Sequence, residues 1–262
     1  MQGEVVAERF EVGRKIGAGG MGTVHRAVDR LTGETVALKL LRARGDDGQT
    51  LPDAIDIARF EREASLLAQL EHPGVVRYVA HGQSGDRVWL AMEWLEGQTL
   101  ADRLQRRGLT LPEAVSVVRQ AAEALAPAHA RGVVHRDLKP ANLFLVGGDP
   151  AQLKVLDFGI ARALGAGHTL THTGTAIGTP HYMSPEQARA EKGVDPSTDV
   201  YALGVVLYEC LAGQRPFEGE SPIAVLAKIL LEEPPPLVVR VPDVPPTLDA
   251  LLQRLLAKDP AE

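Results

Sequence analysis

Eight consecutive residues, His135-Arg136-Asp137-Leu138-Lys139-Pro140-Ala141-Asn142, put a carboxylate, an ammonium and a carboxamide close together in the chain. Only a loop can converge Asp137, Lys139 and Asn142 on one point. Pro140 supports a loop, because a proline inside a helix loses a hydrogen bond and clashes with the preceding turn. The trio suits transfer of an anionic group. Asp137 can accept the proton of an attacking hydroxyl, Lys139 can steady the group in transit, and Asn142 can offer an oxygen to a hard cation such as Mg²⁺. Solvated charges on a surface turn are the better reading for any one of the three, but not for the whole octapeptide.

Such a loop must be held at both ends. Val133-Val134 before it and residues 143–146 after it read as short buried segments. With 262 residues, 45% hydrophobic and 24% charged, the chain can bury a large core, as one domain or as two lobes sharing a cleft. A net charge of -6 without a long basic run argues against a nucleic-acid partner. The single cysteine, Cys210, sits among apolar neighbours and reads as a buried thiol in a reducing compartment. Residues 1–10 lack the apolar core of a secretory signal, and no run approaches the ~18 apolar residues of a membrane span. A cytoplasmic chain is expected, with an anchor beyond its C-terminal end left open.

Upstream of the loop, residues 10–16 and 24–28 read as a hairpin with Gly17-Ala18-Gly19-Gly20-Met21-Gly22 at its tip. The glycines would let backbone N–H groups approach a phosphate and allow positive φ. Alone, Gly-x-Gly-x-x-Gly is weak; a dinucleotide site would lead into a helix, whereas residues 23–28 read as strand. In Val36-Ala37-Leu38-Lys39 a lone ammonium ends an apolar strand, so Lys39 needs an anionic partner or an exposed end. Phe60, Ala64, Leu67 and Leu70 recur at helical spacing from about residue 57, and on that helix Glu61 and Glu63 compete as the partner. Residues 42–56 read as a polar loop, and residues 75–80 and 87–92 as two further strands.

Beyond residue 98 the periodicity becomes helical, over residues 99–107 and over 111–131, where Pro112 opens the helix and Gly132 closes it. Asp157 follows the apolar segment 153–156, a plausible Mg²⁺ ligand, and Gly159 permits a sharp turn. Residues 165–178 show no periodicity and carry His168 and His172, but such a loop offers no helix to present a zinc pair. Residues 198–211 read as a helix with Val200, Leu203, Leu207 and Leu211 on one face and Asp199 at its start. Residues 223–231 and 248–256 are two more helices, joined by a proline-rich loop.

Taken in order, these motifs resemble the catalytic domain of eukaryotic-type, or Hanks-type, protein kinases from Phe10 to Pro260. Lys139 resembles the serine/threonine branch, and Met183-Ser184-Pro185-Glu186-Gln187-Ala188 resembles bacterial members. The implied fold is α+β and two-lobed. Residues 1–92 would form an N-lobe of five antiparallel strands and one main helix, 93–97 a hinge, and 98–262 a mostly helical C-lobe. The family continues into a last helix with an arginine partner for Glu186, so the C-terminal helix is expected to be missing.

The resemblance also implies a site. ATP would contact Ile16, Gly17, Ala18, Gly19, Gly20, Met21, Gly22, Val24, Ala37, Lys39, Met92 as gatekeeper, the backbone of Glu93 and Leu95, and Phe144. Counting back from His72-Pro73 selects Glu63 as the partner of Lys39. Mg²⁺ would bind Asn142 and Asp157, with Asp137 orienting the nucleophile beside Lys139. Thr171 and Thr173 would be phosphorylated, with Arg136, Arg162 and Arg59 as candidate docking cations. Thr179 would bridge Asp137 and Lys139, Ile160 points to some preference for threonine acceptors, and Asp199 would prop the catalytic loop. The implied activity is transfer of the ATP γ-phosphoryl to Ser/Thr hydroxyls of proteins, with a dimer for autophosphorylation in trans. The alternative from another class is a pseudokinase, an ATP-binding interaction module without turnover.

Overall fold

Val36, Leu38 and Leu40 alternate with Ala37 and Lys39 along one strand, and that period of two organises the first part of the fold. The computed structural model describes residues 3–19, 22–41, 54–85, 87–158, 180–191 and 194–259. Gly20, Met21, residues 42–53, Gly159, Ile160, Arg162, His168, Thr171, His172, Thr173 and Thr179 lie outside the described residues, and residues 54–56, expected to belong to a loop over 42–56, are helical instead. The chain divides into two compact units, Met1–Glu71 with Val76–Glu96, and His72–Val75 with Gly97–Phe158 and Ile177–Glu262.

The first unit is an antiparallel sheet of β1 (Val5–Val6), β2 (Phe10–Gly19), β3 (Gly22–Asp29), β4 (Thr35–Leu41), β5 (Tyr78–Ser84) and β6 (Arg87–Glu93), in the order β1-β2-β3-β4-β6-β5. One face buries Phe10, Val12, Ala27, Val36, Leu38, Leu40, Trp89 and Ala91. Phe10 and Trp89 meet there with ring centroids 5.2 Å apart. Helix α1 (Ala54–Ala68) packs on β5 through its expected stripe; Phe60 and Ala64 are fully buried and Phe60 meets His81 edge-on. The sheet has six strands where five were expected. The extra one, β1, is two residues long, too short to show alternation in the sequence.

A tight turn makes β1 possible. Arg9 N–H donates to the Val6 carbonyl at 3.1 Å, and the two central residues, Ala7 and Glu8, both have positive φ, 52° and 57°. This is the I′ geometry that favours Asn-Gly. Directly after it, Arg9 donates two hydrogen bonds, 2.9 and 2.7 Å, to the buried carboxylate of Asp29 at the end of β3. That pair holds Asp29 below the usual carboxylate range and closes the β2–β3 end of the sheet.

The second unit begins with a correction. Residues 75–80 are not one strand: Val75 pairs in parallel with Val155, and Val155 N–H donates to Gly74 O at 2.7 Å. A small sheet of β7 (Gly97–Thr99), β8 (Leu143–Val146) and β9 (Leu153–Val155) carries α2 (Leu100–Arg106) and α3 (Leu111–His129). Both helices start with capping boxes, Thr99 with Asp102 and Thr110 with Glu113, which satisfy first-turn amides. α3 ends at His129 rather than Arg131, with Pro127 in its last turn.

Short α4 (Pro185–Ala188) precedes α5 (Ser197–Ala212), which is followed by α6 (Pro222–Leu231) and α7 (Pro246–Leu255). α5 was expected to bury one face; it is buried nearly all round from Tyr201 to Tyr208, while Val200 is 44% exposed. A helix with apolar residues on every side is a central element rather than a surface one. Gly204 lets α7 close on it, since a Cβ there would lie 2.9 Å from the Leu255 side chain.

The turn before β2 yields a stability prediction. Replacing Glu8 by glycine removes the left-handed penalty and is expected to stabilise the chain by about 0.5–1 kcal/mol after the entropy of glycine is subtracted. Urea unfolding checks this, and an unchanged or lower midpoint would show that the turn carries no strain.

Candidate active site

The octapeptide is a loop, as Pro140 requires, with a single 3₁₀ turn at Pro140–Asn142. Its backbone is set by one buried carboxylate. Asp199, in the first turn of α5, is fully buried. Its Oδ2 accepts from His135 N–H at 2.8 Å and from His129 Nε2 at 2.7 Å, and its Oδ1 accepts from Arg136 N–H at 2.9 Å. Between those bonds Arg136 adopts φ 64°, a left-handed conformation that a long side chain adopts only at a penalty. Gln187 secures the other side of the residue, donating from Nε2 to Arg136 O at 2.9 Å.

His135 is buried and its protonation is dictated by what surrounds it. Nε2 faces the Leu156 carbonyl at 2.8 Å, which can only accept, and Nδ1 faces the Asp137 N–H at 3.3 Å, which can only donate. The ring is therefore neutral with its proton on Nε2. Burial pushes its pKa below the ordinary 6.5, in agreement with that pairing. The same ring packs 5.0 Å from the buried Phe158 ring, so one imidazole joins Asp137 to the segment of Asp157.

The three residues singled out by chemistry do converge. Lys139 Nζ donates to Asp137 Oδ2 at 2.8 Å, and Asn142 Nδ2 donates to Asp137 O at 2.7 Å and to Oδ2 at 3.2 Å. With its amide nitrogen committed to Asp137, Asn142 turns its oxygen the other way. Leu156 N–H donates to Asn142 O at 2.8 Å, which brings Asp157 in beside it, and Asp157 takes a positive φ of 46°. Among the described residues no group of three or more His, Cys, Asp or Glu side chains could hold a metal. One carboxylate and one amide oxygen suit Mg²⁺, which keeps waters and takes substrate phosphates as further ligands, and do not suit zinc. Phe144, the residue after β8 begins, is half-buried opposite Lys154.

In the first unit, strand register lines up the residues expected to meet a nucleotide. Gly17 opposes Val24, Val24 opposes Lys39, and Lys39 opposes Leu90, one row across β2, β3, β4 and β6. Ala37 and Met92 oppose each other in the adjoining position on that face. The glycines differ in their reason for being there. A Cβ on Gly17 would meet open space, whereas Gly22, with φ 144°, would drive one into the Leu40 carbonyl. Ala18 and Gly19 complete the hairpin, and Ile16 is 43% exposed. Lys39 is buried; on α1, Glu63 is half-buried and Glu61 exposed. Glu93 N–H is committed to Arg77 O at 2.9 Å, so that donor is not one for a ligand; Leu95 follows it, half-buried.

Two contributors were not foreseen. His129 is an ordinary helix-end residue in the sequence, and only the fold carries it to Asp199. Gln187 had a signal: Ser184-x-x-Gln187 is a capping box, and the structure uses it to start α4. Ser184 is itself buried, sharing a hydrogen bond with Thr198 at 3.1 Å, and Thr198 donates to Glu186 at 2.5 Å.

Residues 10–262 match the protein kinase domain family. The chain is 42% identical over 261 residues to the serine/threonine-protein kinase PknB of Mycolicibacterium smegmatis, covering 97% of this chain and 40% of that protein's length. It superposes on the crystal structure of the Mycobacterium tuberculosis PknI kinase domain with a TM-score of 0.77 at 29% identity, over 100% of this chain and 92% of that one. The structure of Rad53 1–466 in complex with AMP-PNP gives 0.79 at 25% identity, over 99% and 64%. No helix among the described residues is long and apolar enough to cross a membrane.

The buried neutral His135 sets a pH dependence. With its folded pKa below 6.5, the unfolded chain takes up the proton first as pH falls, so the stabilisation is complete above about pH 6.5 and is lost below it. Unfolding free energy measured by urea from pH 7 to pH 5 is expected to fall more steeply in the wild type than in His135→Asn. Parallel slopes would contradict a histidine held neutral by burial.

Proposed function

Since the chain belongs to the protein kinase family, as a Hanks-type serine/threonine kinase domain with the two-lobed fold of that family, we propose that it transfers the γ-phosphoryl of ATP to serine or threonine hydroxyls of protein substrates. The observation that carries this reading is the convergence of Lys139 and Asn142 on Asp137, on a loop whose backbone Asp199 holds in a strained setting. Asp137 keeps Oδ2 paired with Lys139 while its carboxylate receives and orients the acceptor hydroxyl. Lys139 stabilises negative charge on the group in transit. Little covalent chemistry is asked of the protein, so positioning and charge neutralisation supply the rate.

Asn142 through Oδ1 and Asp157 through its carboxylate would hold Mg²⁺, which when bound neutralises phosphate charge. The row Gly17, Val24, Lys39 and the neighbouring Ala37 and Met92 are the nucleotide residues in this reading, together with Gly20 and Met21, and Glu63 is the partner of Lys39. Rad53, similar in structure, was crystallised with an ATP analogue, which supports ATP as the donor. Activation by phosphorylation at Thr171 and Thr173, in trans within a dimer, and a cytoplasmic location belong to the same proposal. The chain spans 40% of the length of PknB, so the activity and partners of a longer protein would rest on more than this domain.

Two outcomes test it. Incubated with Mg²⁺ and γ-labelled ATP, the wild type is expected to incorporate label within residues 162–189, at Thr171 or Thr173, and Asp157→Ala to incorporate none. Asp137→Asn is expected to lower kcat by about 10²–10⁴-fold. ATP binding without label would favour the pseudokinase instead. Separately, Thr171→Ala/Thr173→Ala is expected to show lower turnover on an exogenous substrate, and equal turnover would remove the activating role of these threonines.

A further inference from the structure

Arg26 is a charged side chain on the nucleotide face of the sheet that has no place in the scheme above. Arg26 lies two residues along β3 from Val24, directly opposite Ala37, which is opposite Met92. Residues that oppose one another in antiparallel strands project from the same face. β2 has a register irregularity between Val12 and Lys15, so Gly13 and Arg14 together face Arg26 across the pair. A Cβ on Gly13 would lie 2.7 Å from Arg26 O, so the two backbones close here only because residue 13 is glycine. Bulges of this kind re-aim side chains and recur beside functional sites.

The guanidinium of Arg26 is directed at the segment that follows β6. It lies 5.5 Å from the centre of the Trp94 ring, within cation–π range. The indole N–H of Trp94 in turn donates to Glu96 at 2.6 Å. Cation, aromatic face, N–H and carboxylate thus form a chain that fixes a half-buried indole between Glu93 and Leu95, the two residues whose backbones are expected to receive adenine. Arg26 itself is exposed, beside a shallow groove lined by Glu11, Arg14, Val28 and Thr35. Among the described residues no buried side chain is hydrogen-bonded to it, so its replacement is expected to leave the sheet folded.

We propose that Arg26 is a positioning residue for the nucleotide: by holding the Trp94 indole it keeps the Glu93-Trp94-Leu95 backbone in the setting that receives the purine. This rests on the ATP reading above. A binding-competent setting that is populated only part of the time weakens apparent affinity by that fraction and leaves the chemical step untouched. Loss of one exposed cation–π contact corresponds to about a threefold to fivefold change.

The test is a double-mutant cycle on Mg·ATP, with KM and kcat from steady-state phosphorylation and Kd from titration. Arg26→Leu is expected to raise KM and Kd about threefold to fivefold with kcat within about twofold, and Arg26→Lys to recover part of the loss because it keeps a cation. Trp89 is buried, so Trp94 is the tryptophan whose emission should respond, shifting to longer wavelength in Arg26→Leu. In a Trp94→Leu background, replacing Arg26 is expected to change nothing further. If Arg26→Leu weakens ATP equally with and without Trp94, Arg26 meets the nucleotide itself and the positioning role is overturned. Wild-type binding with an unchanged Kd in Arg26→Leu overturns this proposal alone, whereas a wild type that binds no Mg·ATP overturns the ATP reading beneath it.

Discussion

A single buried carboxylate governs the reactive loop. Asp199 accepts from two consecutive backbone amides and from His129, and between the two amides Arg136 is held left-handed. That conformation costs about 1–2 kcal/mol for a non-glycine residue, while a hydrogen bond to a charged group contributes roughly 1.5–3 kcal/mol. The two such bonds made by the loop outweigh the strain, so the loop is stable in a shape the chain would not choose alone. The carboxylate can hold it because α5 is buried nearly all round from Tyr201 to Tyr208, with Gly204 admitting α7 and a first turn whose dipole favours an acid.

From that anchor the order spreads along the chain in both directions. His135, neutral and buried, accepts from Asp137 and donates to Leu156, so the setting of the carboxylate at residue 137 is coupled to the segment of residue 157. Asn142 does similar work at the other end of the loop. Its side chain bonds Asp137 and its carbonyl receives Leu156 N–H, which leaves one amide oxygen and one carboxylate for a cation that supplies its own waters. Gln187 ties Arg136 O to the start of α4, so that helix is anchored to the same loop.

The first unit reaches its arrangement through register instead of side-chain bonding. Four strands bring Gly17, Val24, Lys39 and Leu90 into one row, and a shift of one residue would turn Lys39 into the core that Leu38 and Leu40 fill. Within the glycine motif the demands diverge. Gly22 is required by the neighbouring strand's carbonyl, whereas a Cβ on Gly17 would meet open space among the described residues.

Much of this was legible in the residues alone. Asp137, Lys139 and Asn142 announce a reactive loop because three unlike polar groups around a proline serve no ordinary turn. The stripe of Phe60, Ala64 and Leu67 and the alternation along β4 carry the periods of their elements directly. What the sequence could not show depends on residues far apart meeting. Val75 reads as strand with its neighbours but pairs with Val155, β1 exists through a strained two-residue turn, and α5 is buried all round where its pattern suggested one face. His129 and His135 look alike in the sequence, yet the ring of one bonds the carboxylate of Asp199 and the ring of the other is buried between the Leu156 carbonyl and the Asp137 N–H. Periodicity and local chemistry are written residue by residue; protonation, strain and the partner of a buried acid are decided only when the folded chain removes water from around them.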